Sequence, residues 1–410
     1  MKFATIITIG DELLIGQTID TNSAWIASTL NSIGIAIKRR IAVSDQWDDI
    51  WSALDEESKN ADLILITGGL GPTSDDITKP LLARYFNGEL IVNQEALDNV
   101  VDIFTNKLKR PLLERNLKQA EVPSTCTVIP NKRGTAPGMW FEKEGKIFVS
   151  MPGVPHEMKG MMEGYVIPEI QKHFKLNPVL HRTLLTAGIG ESFLAELLVP
   201  FETNLPSSIK IAYLPNYGMV RIRLTNSDGL EKNILEEQFE KLKALVKDFL
   251  VVDRDISLQE HVGEQLIAHH KTLAIAESCT GGYISHLITS IPGSSQFYLG
   301  GITSYSNEVK ELVLDVPKET LMRLGAVSEE VACKMAEGAR HKTGADYAIA
   351  TTGIMGPGGG TADKPVGLVC VGFSSKEKTT STVFHFRFDR KRNIELTAIH
   401  ALDFLRKNMG

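Results

Sequence analysis

Cysteine is scarce in this sequence, and neither cysteine nor histidine is spaced as in a metal-binding module. Only four cysteines occur in 410 residues, and no two of them form a Cys-x-x-Cys pair. The ten histidines include no His-x-x-x-His pair. A disulfide framework and a structural zinc site are therefore not indicated.

Long runs of basic or apolar residues are also missing. Lys and Arg total 44 against 50 Asp and Glu, a formal net charge of −6, which argues against a protein that coats a polyanion. No stretch approaches the roughly 18 uncharged apolar residues of a membrane span. The apolar start reaches Asp11 and Glu12 before a signal-peptide core could be completed. We therefore expect a cytoplasmic protein without membrane partners, for which nucleic acid is a disfavoured partner.

The composition, 43% hydrophobic and 23% charged, is that of a globular protein, and 410 residues predict two or three domains. In the first segment, helices at Ser23–Ile33 and Trp47–Ser58 are expected to alternate with strands at Phe3–Ile9, Ile35–Val43 and Leu63–Ile66. This alternation predicts an α/β fold with a parallel sheet. Ligands of such sheets bind beyond the carboxyl ends of the strands.

Two further segments follow the first. From about His173 to Phe249 the pattern predicts a small α+β unit of βαββα order. The third segment is again α/β, and its opening helix, three strands and closing helix are expected at Leu258–His270, Thr272–Ala276, Tyr347–Ala350, Val366–Phe373 and Asn393–Lys407. We assign three domains, residues 1–170, 173–250 and 257–410.

Ser278 is the candidate nucleophile of the third segment. It follows a predicted strand and opens a helix, so the backbone N–H groups after it could stabilise a developing negative charge. A serine needs a base, and a lysine in a dry pocket can lose its proton near neutral pH, which makes Lys310 the candidate. A helix cap and a solvated lysine are the alternatives. Cys279 is a rival nucleophile, although as the first helical residue it is expected to point into the core.

A second signal in this segment is a glycine-dense stretch after a strand. Bare backbone amides there can hold a phosphate or an amide, assisted by threonine hydroxyls. With the turn after Ser278, the candidate substrate-binding residues are Thr280, Gly281, Gly282, Thr351, Thr352, Gly353, Gly356, Gly358, Gly359 and Lys364.

The first segment places carboxylates beside glycine-rich turns at strand ends. Glycines let phosphate oxygens reach backbone N–H groups, but acidic residues there disfavour an anion unless a cation lies between them. This pairing suggests a divalent metal bridging a diphosphate, and helix capping by the carboxylates is the alternative. The candidate ligand-binding residues are Gly10, Asn22, Thr67, Gly68, Gly69, Gly71, Pro72 and Thr73, and the candidate metal ligands are Asp11, Glu12, Asp75 and Asp76.

The third segment resembles the C-terminal domain of the CinA family almost end to end. The matching blocks are AESCTGG at 276–282, YSNEVK at 305–310, GAVS at 325–328, and TGI-x-GPGGG with KPVG at 352–367. The resemblance implies hydrolysis of the carboxamide of nicotinamide mononucleotide (NMN) to nicotinate mononucleotide and ammonia. It implies Ser278 as nucleophile, Lys310 as general base and Tyr305 as an assistant in proton transfer or positioning, with no cofactor.

Two positions depart from the family pattern. Met355 stands where the family usually has alanine, and Phe388 replaces a more usual glycine before Asp389 and Arg390. We expect both to affect substrate affinity more than reaction type.

The first segment resembles the N-terminal domain of the same family, a relative of the molybdopterin-binding fold. Its blocks are RNLKQA at 115–120, GTAPG at 134–138 and MPGVPHEM at 151–158. The resemblance implies metal-dependent cleavage of ADP-ribose to AMP and ribose 5-phosphate, although some relatives with this fold only bind a pterin. The ion stays open between divalent ions of the Mg, Mn or Co type and K⁺. Asn116, Gln119 and Glu157 are interpreted as structural, and His156 as a loop residue.

The middle segment resembles the KH-type domain of full-length CinA proteins. Gly188-Ile189-Gly190-Glu191 does not supply the Gly-x-x-Gly loop with basic neighbours that RNA binding needs, so a spacer or dimerisation role is favoured. The leading hypothesis is a homodimeric, bifunctional pyridine-nucleotide hydrolase acting on NMN and ADP-ribose. Two alternatives remain: a deamidase whose N-terminal domain only binds a pterin or nucleotide, and a binding protein of DNA uptake or the damage response.

Overall fold

A computed structural model of the chain describes residues 2–73, 76–177, 179–216, 218–226 and 232–409. By its internal contacts the chain divides into two compact units, residues 1–180 with 226–232, and residues 181–225 with 233–410. None of the helices built from the described residues combines the length and the apolar character that a bilayer crossing requires.

The first unit is built around a mixed six-stranded sheet of order β2-β1-β3-β8-β7-β6. The first four of these strands are parallel to one another. β7 pairs antiparallel with β8, and β6 pairs antiparallel with β7. The strands of this unit are β1 (Lys2–Ile9), β2 (Ile35–Val43), β3 (Leu63–Thr67), β4 (Leu90–Val92), β5 (Glu121–Pro123), β6 (Thr127–Ile129), β7 (Gly138–Lys143) and β8 (Lys146–Met151), of which β4 and β5 form a separate two-stranded sheet. Its α-helices are α1 (Asp11–Leu14), α2 (Thr21–Ser32), α3 (Trp47–Asn60), α4 (Thr78–Tyr85), α5 (Gln94–Asp102), α6 (Glu114–Leu117), α7 (Pro155–Met161) and α8 (Ile167–His173).

Both faces of this sheet are covered by apolar side chains. Every residue of β3 is buried, as expected for a central parallel strand with helices on both sides. Ile6 and Leu65 contribute to the core on one face, and Ile7 and Ile64 to the core on the other. Because β1, β3 and β8 are parallel, their carboxyl ends lie together at one edge of the sheet.

The second unit holds the middle and C-terminal domains. The middle domain has a four-stranded sheet of order β10-β11-β9-β12, and it contains β9 (Leu180–Ala187), α9 (Glu191–Thr203), β10 (Ile209–Asn216), β11 (Met219–Asn226), α10 (Lys232–Leu245) and β12 (Leu250–Val252). The expected βαββα order is therefore extended by one short strand. Leu185, Met219 and Val252 belong to the same core cluster as Leu273 and Leu402, so the two domains share a core.

The C-terminal domain has a five-stranded sheet of order β14-β13-β15-β16-β17. Strands β14, β13 and β15 are parallel to one another. β16 pairs antiparallel with β15, and β17 pairs antiparallel with β16. The elements are α11 (Leu258–Ala268), β13 (Leu273–Glu277), α12 (Tyr283–Thr289), β14 (Tyr298–Thr303), α13 (Asn307–Leu314), α14 (Lys318–Leu324), α15 (Glu329–Thr343), β15 (Tyr347–Gly353), β16 (Leu368–Ser374), β17 (Thr379–His385) and α16 (Arg390–Asn408).

Two strands of this sheet, β14 and β17, are not predicted from the sequence, and both have an unusual composition for a strand. β14 contains Gly300 and Gly301, which weaken the strand signal. A Cβ at Gly301 would lie 2.4 Å from both the Ser285 and the Tyr298 hydroxyl oxygens, so a close approach of neighbouring side chains requires glycine there. β17 begins with four hydroxyl residues, Thr379–Thr382, and is half-buried at the sheet edge.

Candidate functional site

The nucleophile candidate Ser278 lies in a tight turn at the carboxyl end of β13. The turn ends at Gly281 and Gly282, whose φ values of 62° and 100° favour glycine. Helix α12 starts at Tyr283, so the helix does not open directly after Ser278 as expected. Cys279 therefore lies in the turn and is not the first helical residue. The Ser278 side chain lies in a largely buried position, with the residue 8% exposed.

Lys310 lies in α13, the helix that follows the neighbouring parallel strand, and contacts Ser278 from there. β14 lies beside β13, and the segment after it leads into α13, which Ser306 caps by accepting a hydrogen bond from the Val309 N–H. Lys310 is 1% exposed, and its Nζ lies 3.0 Å from the Ser278 Oγ. Nζ also donates to the carbonyl oxygens of Ser304 at 2.8 Å and Tyr305 at 3.2 Å.

These contacts suit a lysine that acts as a base. Burial lowers the pKa of Lys310, because the charged form is poorly solvated there. A neutral amine has two N–H groups, which the Ser304 and Tyr305 carbonyls accept, and its lone pair is then directed at the Ser278 hydroxyl. The arrangement can take a proton from Oγ while that oxygen forms a bond.

The Tyr305 side chain is not at this contact. It is 62% exposed, and its hydroxyl oxygen accepts a hydrogen bond of 3.0 Å from Arg390. Tyr305 meets Lys310 through its backbone carbonyl instead. The structure thus brings Ser278 and Lys310 together and leaves the Tyr305 phenol on the surface.

Arg390 is a residue that sequence reasoning did not propose for the site. It is exposed at the start of α16, where Asp389 caps the helix, and its guanidinium also donates to the Gly356 carbonyl at 2.8 Å. It therefore joins the segment before Lys310 to the glycine-dense loop. The one sequence signal for Arg390 is its place in the family's Asp-Arg pair, directly after Phe388, which departs from the family pattern.

The threonines and the lysine of the predicted substrate loop hold the site together. The Thr280 and Thr351 hydroxyls are 2.8 Å apart in the interior, and Thr352 donates to the Ala326 carbonyl at 2.8 Å. Lys364 donates to the Leu324 carbonyl. Thr351, Thr352 and Gly353 end strand β15. Gly356, Gly358 and Gly359 lie in the loop after it, and Gly356 and Gly359 have φ values of 85° and 86°.

The two departures from the family pattern occupy different environments. Met355 is 3% exposed and belongs to the core. Phe388 is 47% exposed, with the Arg392 guanidinium 4.3 Å from its ring centroid.

Cys279 is buried next to the nucleophile. It belongs to the core cluster, and burial raises the pKa of its thiol to about 12. The thiolate, which is the nucleophilic form, is therefore not available near neutral pH. The expectation that Cys279 points into the core is met.

The amino end of α12 is not free to stabilise a developing charge, contrary to expectation. The N–H groups of Gly282, Ile284 and Ser285 all donate to the carboxylate of Glu277. Within the turn, Ser278 N–H donates to the Thr351 carbonyl and Gly281 N–H to the Ser278 carbonyl.

In the first unit, a cavity of about 460 Å³ lies where the carboxyl ends of β1, β3 and β8 meet. Its lining includes the predicted residues Gly10, Glu12, Gly68, Gly69, Gly71, Pro72 and Asp76, together with Asp45, Gln119 and Glu157. Its described lining residues include four carboxylates, those of Glu12, Asp45, Asp76 and Glu157, and no Lys or Arg.

The predicted metal ligands do not converge in this cavity. The Asp76 carboxylate accepts hydrogen bonds from the N–H groups of Gly71 at 2.8 Å and Thr73 at 2.9 Å, so it closes its own loop. The Asp11 N–H donates to Asp45 at 3.1 Å. Oxygen donors suit a hard cation, yet the described part of the chain holds no group of three or more His, Cys, Asp or Glu placed to bind a metal ion. Asp75 lies outside the described residues.

Asn22 and Thr67 connect loops at this edge of the sheet. Asn22 donates to the Gly153 carbonyl at 2.7 Å, and Thr67 donates to the Pro152 carbonyl at 3.0 Å. Glu157, which we interpret from the sequence as structural, also lines the cavity. Its carboxylate accepts a hydrogen bond of 2.7 Å from Asn131, and burial raises the pKa of Glu157.

Comparison with known proteins accounts for the whole chain. Residues 5–172 match a probable molybdopterin binding domain, residues 181–251 the damage-inducible protein CinA KH domain, and residues 255–409 the CinA C-terminal domain. A CinA-like protein from Cytophaga hutchinsonii is 42% identical over 411 residues, covering 99% of this chain and 98% of that protein. The chain belongs to the CinA family.

A second full-length relative agrees with this assignment. A CinA-like protein from Chloroherpeton thalassium is 44% identical over 415 residues, covering 98% of each chain. The crystal structure of a competence-damaged protein (CinA) superfamily protein from Escherichia coli is 35% identical, covers 37% of this chain and 87% of that chain, and has a TM-score of 0.36. The three-domain layout, molybdopterin-binding-like, KH-like and CinA C-terminal, is that of the family.

Proposed function

We propose that the C-terminal domain of this CinA-family chain hydrolyses the carboxamide of NMN to nicotinate mononucleotide and ammonia. The observation that carries the proposal is the 3.0 Å contact between the Ser278 Oγ and the Nζ of the buried Lys310. A hydroxyl held against a lysine of lowered pKa is the arrangement that acyl transfer through a serine needs.

In this mechanism the Ser278 Oγ attacks the carboxamide carbon and passes its proton to Lys310 Nζ. The C–N bond of the tetrahedral intermediate breaks, and the departing nitrogen takes that proton and leaves as ammonia. Water then attacks the acyl-serine, with Lys310 accepting its proton and returning one to Oγ. The N–H groups of Cys279 and Thr280, which form no hydrogen bond with another described residue, are the donors available to the oxyanion.

The phosphate of NMN is proposed to bind between Arg390 and the loop around Gly356. The Arg390 guanidinium is exposed and already donates to two neutral oxygens, those of Tyr305 and Gly356. A phosphate is a stronger acceptor and can be bound bidentately by arginine. Tyr305, joined to Arg390, would then contact the nucleotide and not the Ser278 hydroxyl.

The test is the release of ammonia from NMN by the purified chain and by Ser278→Ala. We expect the wild-type chain to release ammonia and Ser278→Ala to release none. Ser290→Ala is the matched control, because Ser290 is an exposed serine at the end of α12 that donates to the Leu287 carbonyl. Normal deamidation by Ser278→Ala would contradict the assignment.

For the first domain we propose cleavage of ADP-ribose to AMP and ribose 5-phosphate. The supporting observation is the 460 Å³ cavity, in which glycine-rich loops meet four carboxylates with no basic residue among its described lining residues. A diphosphate in such a cavity needs a cation to offset the carboxylates, and a bound divalent cation would neutralise phosphate charge and polarise the bond to be cleaved. The carboxylates of Glu12, Asp45, Asp76 and Glu157 line the cavity that would hold this cation.

This second proposal is tested on the full chain with ADP-ribose and a divalent cation, assaying AMP. AMP formation that stops with chelator supports it. Binding of ADP-ribose without cleavage would favour the alternative, a domain that only binds a nucleotide or pterin. A cytoplasmic location and a homodimer stay predictions from the sequence.

A further inference from the structure

Glu277, the residue before the nucleophile, is a fully buried carboxylate. It forms no ion pair with any residue that the structure describes, and a buried charge of this kind is costly unless donors surround it. Four donors do so: the N–H groups of Gly282 and Ile284 at 3.0 Å to one oxygen, and the N–H and hydroxyl of Ser285 at 2.8 and 2.6 Å to the other.

These bonds close the nucleophile turn from both of its ends. Glu277 lies at the start of the turn, and its three backbone donors lie where the turn enters α12. The carboxylate also lies at the positive end of that helix, where negative charge is stabilised. The Glu277 side chain thus holds the two ends of the turn that carries Ser278, in addition to the bond from the Ser278 N–H to the Thr351 carbonyl.

The backbone of Glu277 reaches the base as well. Its carbonyl oxygen accepts a hydrogen bond of 2.8 Å from the Ser304 N–H. The Ser304 carbonyl in turn accepts one of 2.8 Å from Lys310 Nζ. Glu277 therefore lies one hydrogen bond from the turn that holds the hydroxyl and two from the amine that receives its proton.

The residues beside the Glu277 carboxylate are themselves held in place by hydrogen bonds. Ser285, which donates its hydroxyl to Glu277, accepts a hydrogen bond of 2.7 Å from the Tyr298 hydroxyl. The Gly301 position has no room for a side chain beside these two hydroxyls. Both carboxylate oxygens of Glu277 accept two hydrogen bonds each, and the Tyr298 hydroxyl holds the Ser285 hydroxyl in place, so this network favours one geometry of the carboxylate.

We propose that Glu277 is the positioning residue of the hydrolytic site and that its carboxylate, through the turn, sets the distance between the Ser278 hydroxyl and Lys310. This inference rests on the proposed deamidation and adds a residue to it. Neutral glutamine has nearly the same shape, but its NH₂ group would face N–H donors where the carboxylate oxygen accepts two bonds. The turn must then shift, and Ser278 with it.

The experiment compares wild type, Glu277→Gln and a control, Glu329→Gln, in ammonia release from NMN. Glu329 is a carboxylate in the first turn of α15; it is exposed and accepts a hydrogen bond from the Ser381 hydroxyl. We expect kcat of Glu277→Gln to fall about a hundredfold, the scale of an ångström-sized misplacement of a reacting group. KM should change little, and the Glu329→Gln variant should match wild type.

A second readout does not depend on NMN: the rate and the extent of Ser278 labelling by a fluorophosphonate. A positioning role lowers the rate constant of labelling and leaves the labelled fraction unchanged, whereas a loss of folded protein lowers the fraction and leaves the rate constant unchanged. A labelling rate constant and kcat equal to those of wild type in Glu277→Gln would overturn the inference. Wild-type protein that releases no ammonia from NMN would overturn the proposed function, while the labelling rates still test Glu277.

Ser285→Ala covers the case in which Glu277→Gln does not fold. It removes the hydroxyl donor to the carboxylate and, with it, the acceptor of the Tyr298 hydroxyl, while the three backbone donors to Glu277 remain. We expect the labelling rate to fall about tenfold, the scale of one hydrogen bond to a charged group. An unchanged rate in folded Ser285→Ala would overturn the inference.

Discussion

The two glycine-rich sites of this chain share a plan and differ in how their charges are satisfied. Each lies at the carboxyl ends of parallel strands. Beside β13, Glu277 is surrounded by N–H and hydroxyl donors and the Lys310 amine by carbonyl oxygens, so both buried ionisable groups find hydrogen-bond partners within the site. In the first unit, four carboxylates line a cavity without a basic residue among its described lining residues.

This difference separates two chemistries. The C-terminal site can move a proton with its own side chains, because hydroxyl and amine are already in contact. The cavity of the first unit is lined by carboxylates that disfavour an anionic substrate, so under the proposed activity we expect a cation to accompany the substrate. The two proposed activities should therefore respond independently to changes at either site.

The largest effect is expected for Lys310→Met, which replaces the base by an apolar side chain of similar length. NMN deamidation should fall about a thousandfold, within the range of general-base catalysis, and ADP-ribose cleavage should not change. Ammonia and AMP release measured on the same preparation check this. Retained deamidation would remove Lys310 from the mechanism, and parallel loss of both activities would point to misfolding.

Removal of divalent cations by a chelator should affect ADP-ribose cleavage and leave NMN deamidation unchanged. We expect excess chelator to lower ADP-ribose cleavage about a hundredfold, since removal of the cation leaves the carboxylates facing the diphosphate. NMN deamidation should persist in the same sample. A chelator-sensitive deamidase or a chelator-resistant cleavage of ADP-ribose would break the contrast between the sites.

The pH dependence sharpens the assignment of the base. Lys310 must be neutral to accept a proton, and burial lowers its pKa below the ordinary 10.5. kcat/KM for NMN should therefore rise about tenfold per pH unit on the acidic side and level off at a pH below 10.5. A profile that is flat over this range, or that falls as pH rises, would contradict a neutral lysine base.

The smallest effect is expected for Cys279→Ala. The thiol is buried in the core and its pKa is raised to about 12, so it should not take part in the reaction. Deamidation should stay within about twofold of wild type, with a modest loss of stability from the smaller side chain. Loss of activity in folded Cys279→Ala would make the thiol the nucleophile.

Much of this arrangement could be predicted from sequence because it is local. The alternation of strands and helices places Ser278 and the first unit's glycine turns at strand ends, and the YSNEVK block supplies Lys310. The edge strands β14 and β17 could not be predicted, since their glycines and hydroxyl residues do not form an apolar pattern.

The missed site residues depend on contacts between distant segments. Arg390 meets Tyr305 across 85 positions of the chain, and no spacing rule connects them. For Asp76 the sequence shows a carboxylate beside a glycine-rich loop, but not that its oxygens turn back to Gly71 and Thr73. A positioning role for Glu277 can be recognised only once the buried donors to its carboxylate are known.

The most direct test is to identify the residue that carries the acyl group. Protein quenched by acid during turnover of NMN, then digested and examined by mass spectrometry, should carry the nicotinate mononucleotide acyl group on Ser278, and the adduct should be absent from Ser278→Ala. An adduct on Cys279, or steady turnover without any adduct on Ser278 under conditions that trap acyl-enzymes, would contradict activation of the Ser278 hydroxyl by Lys310.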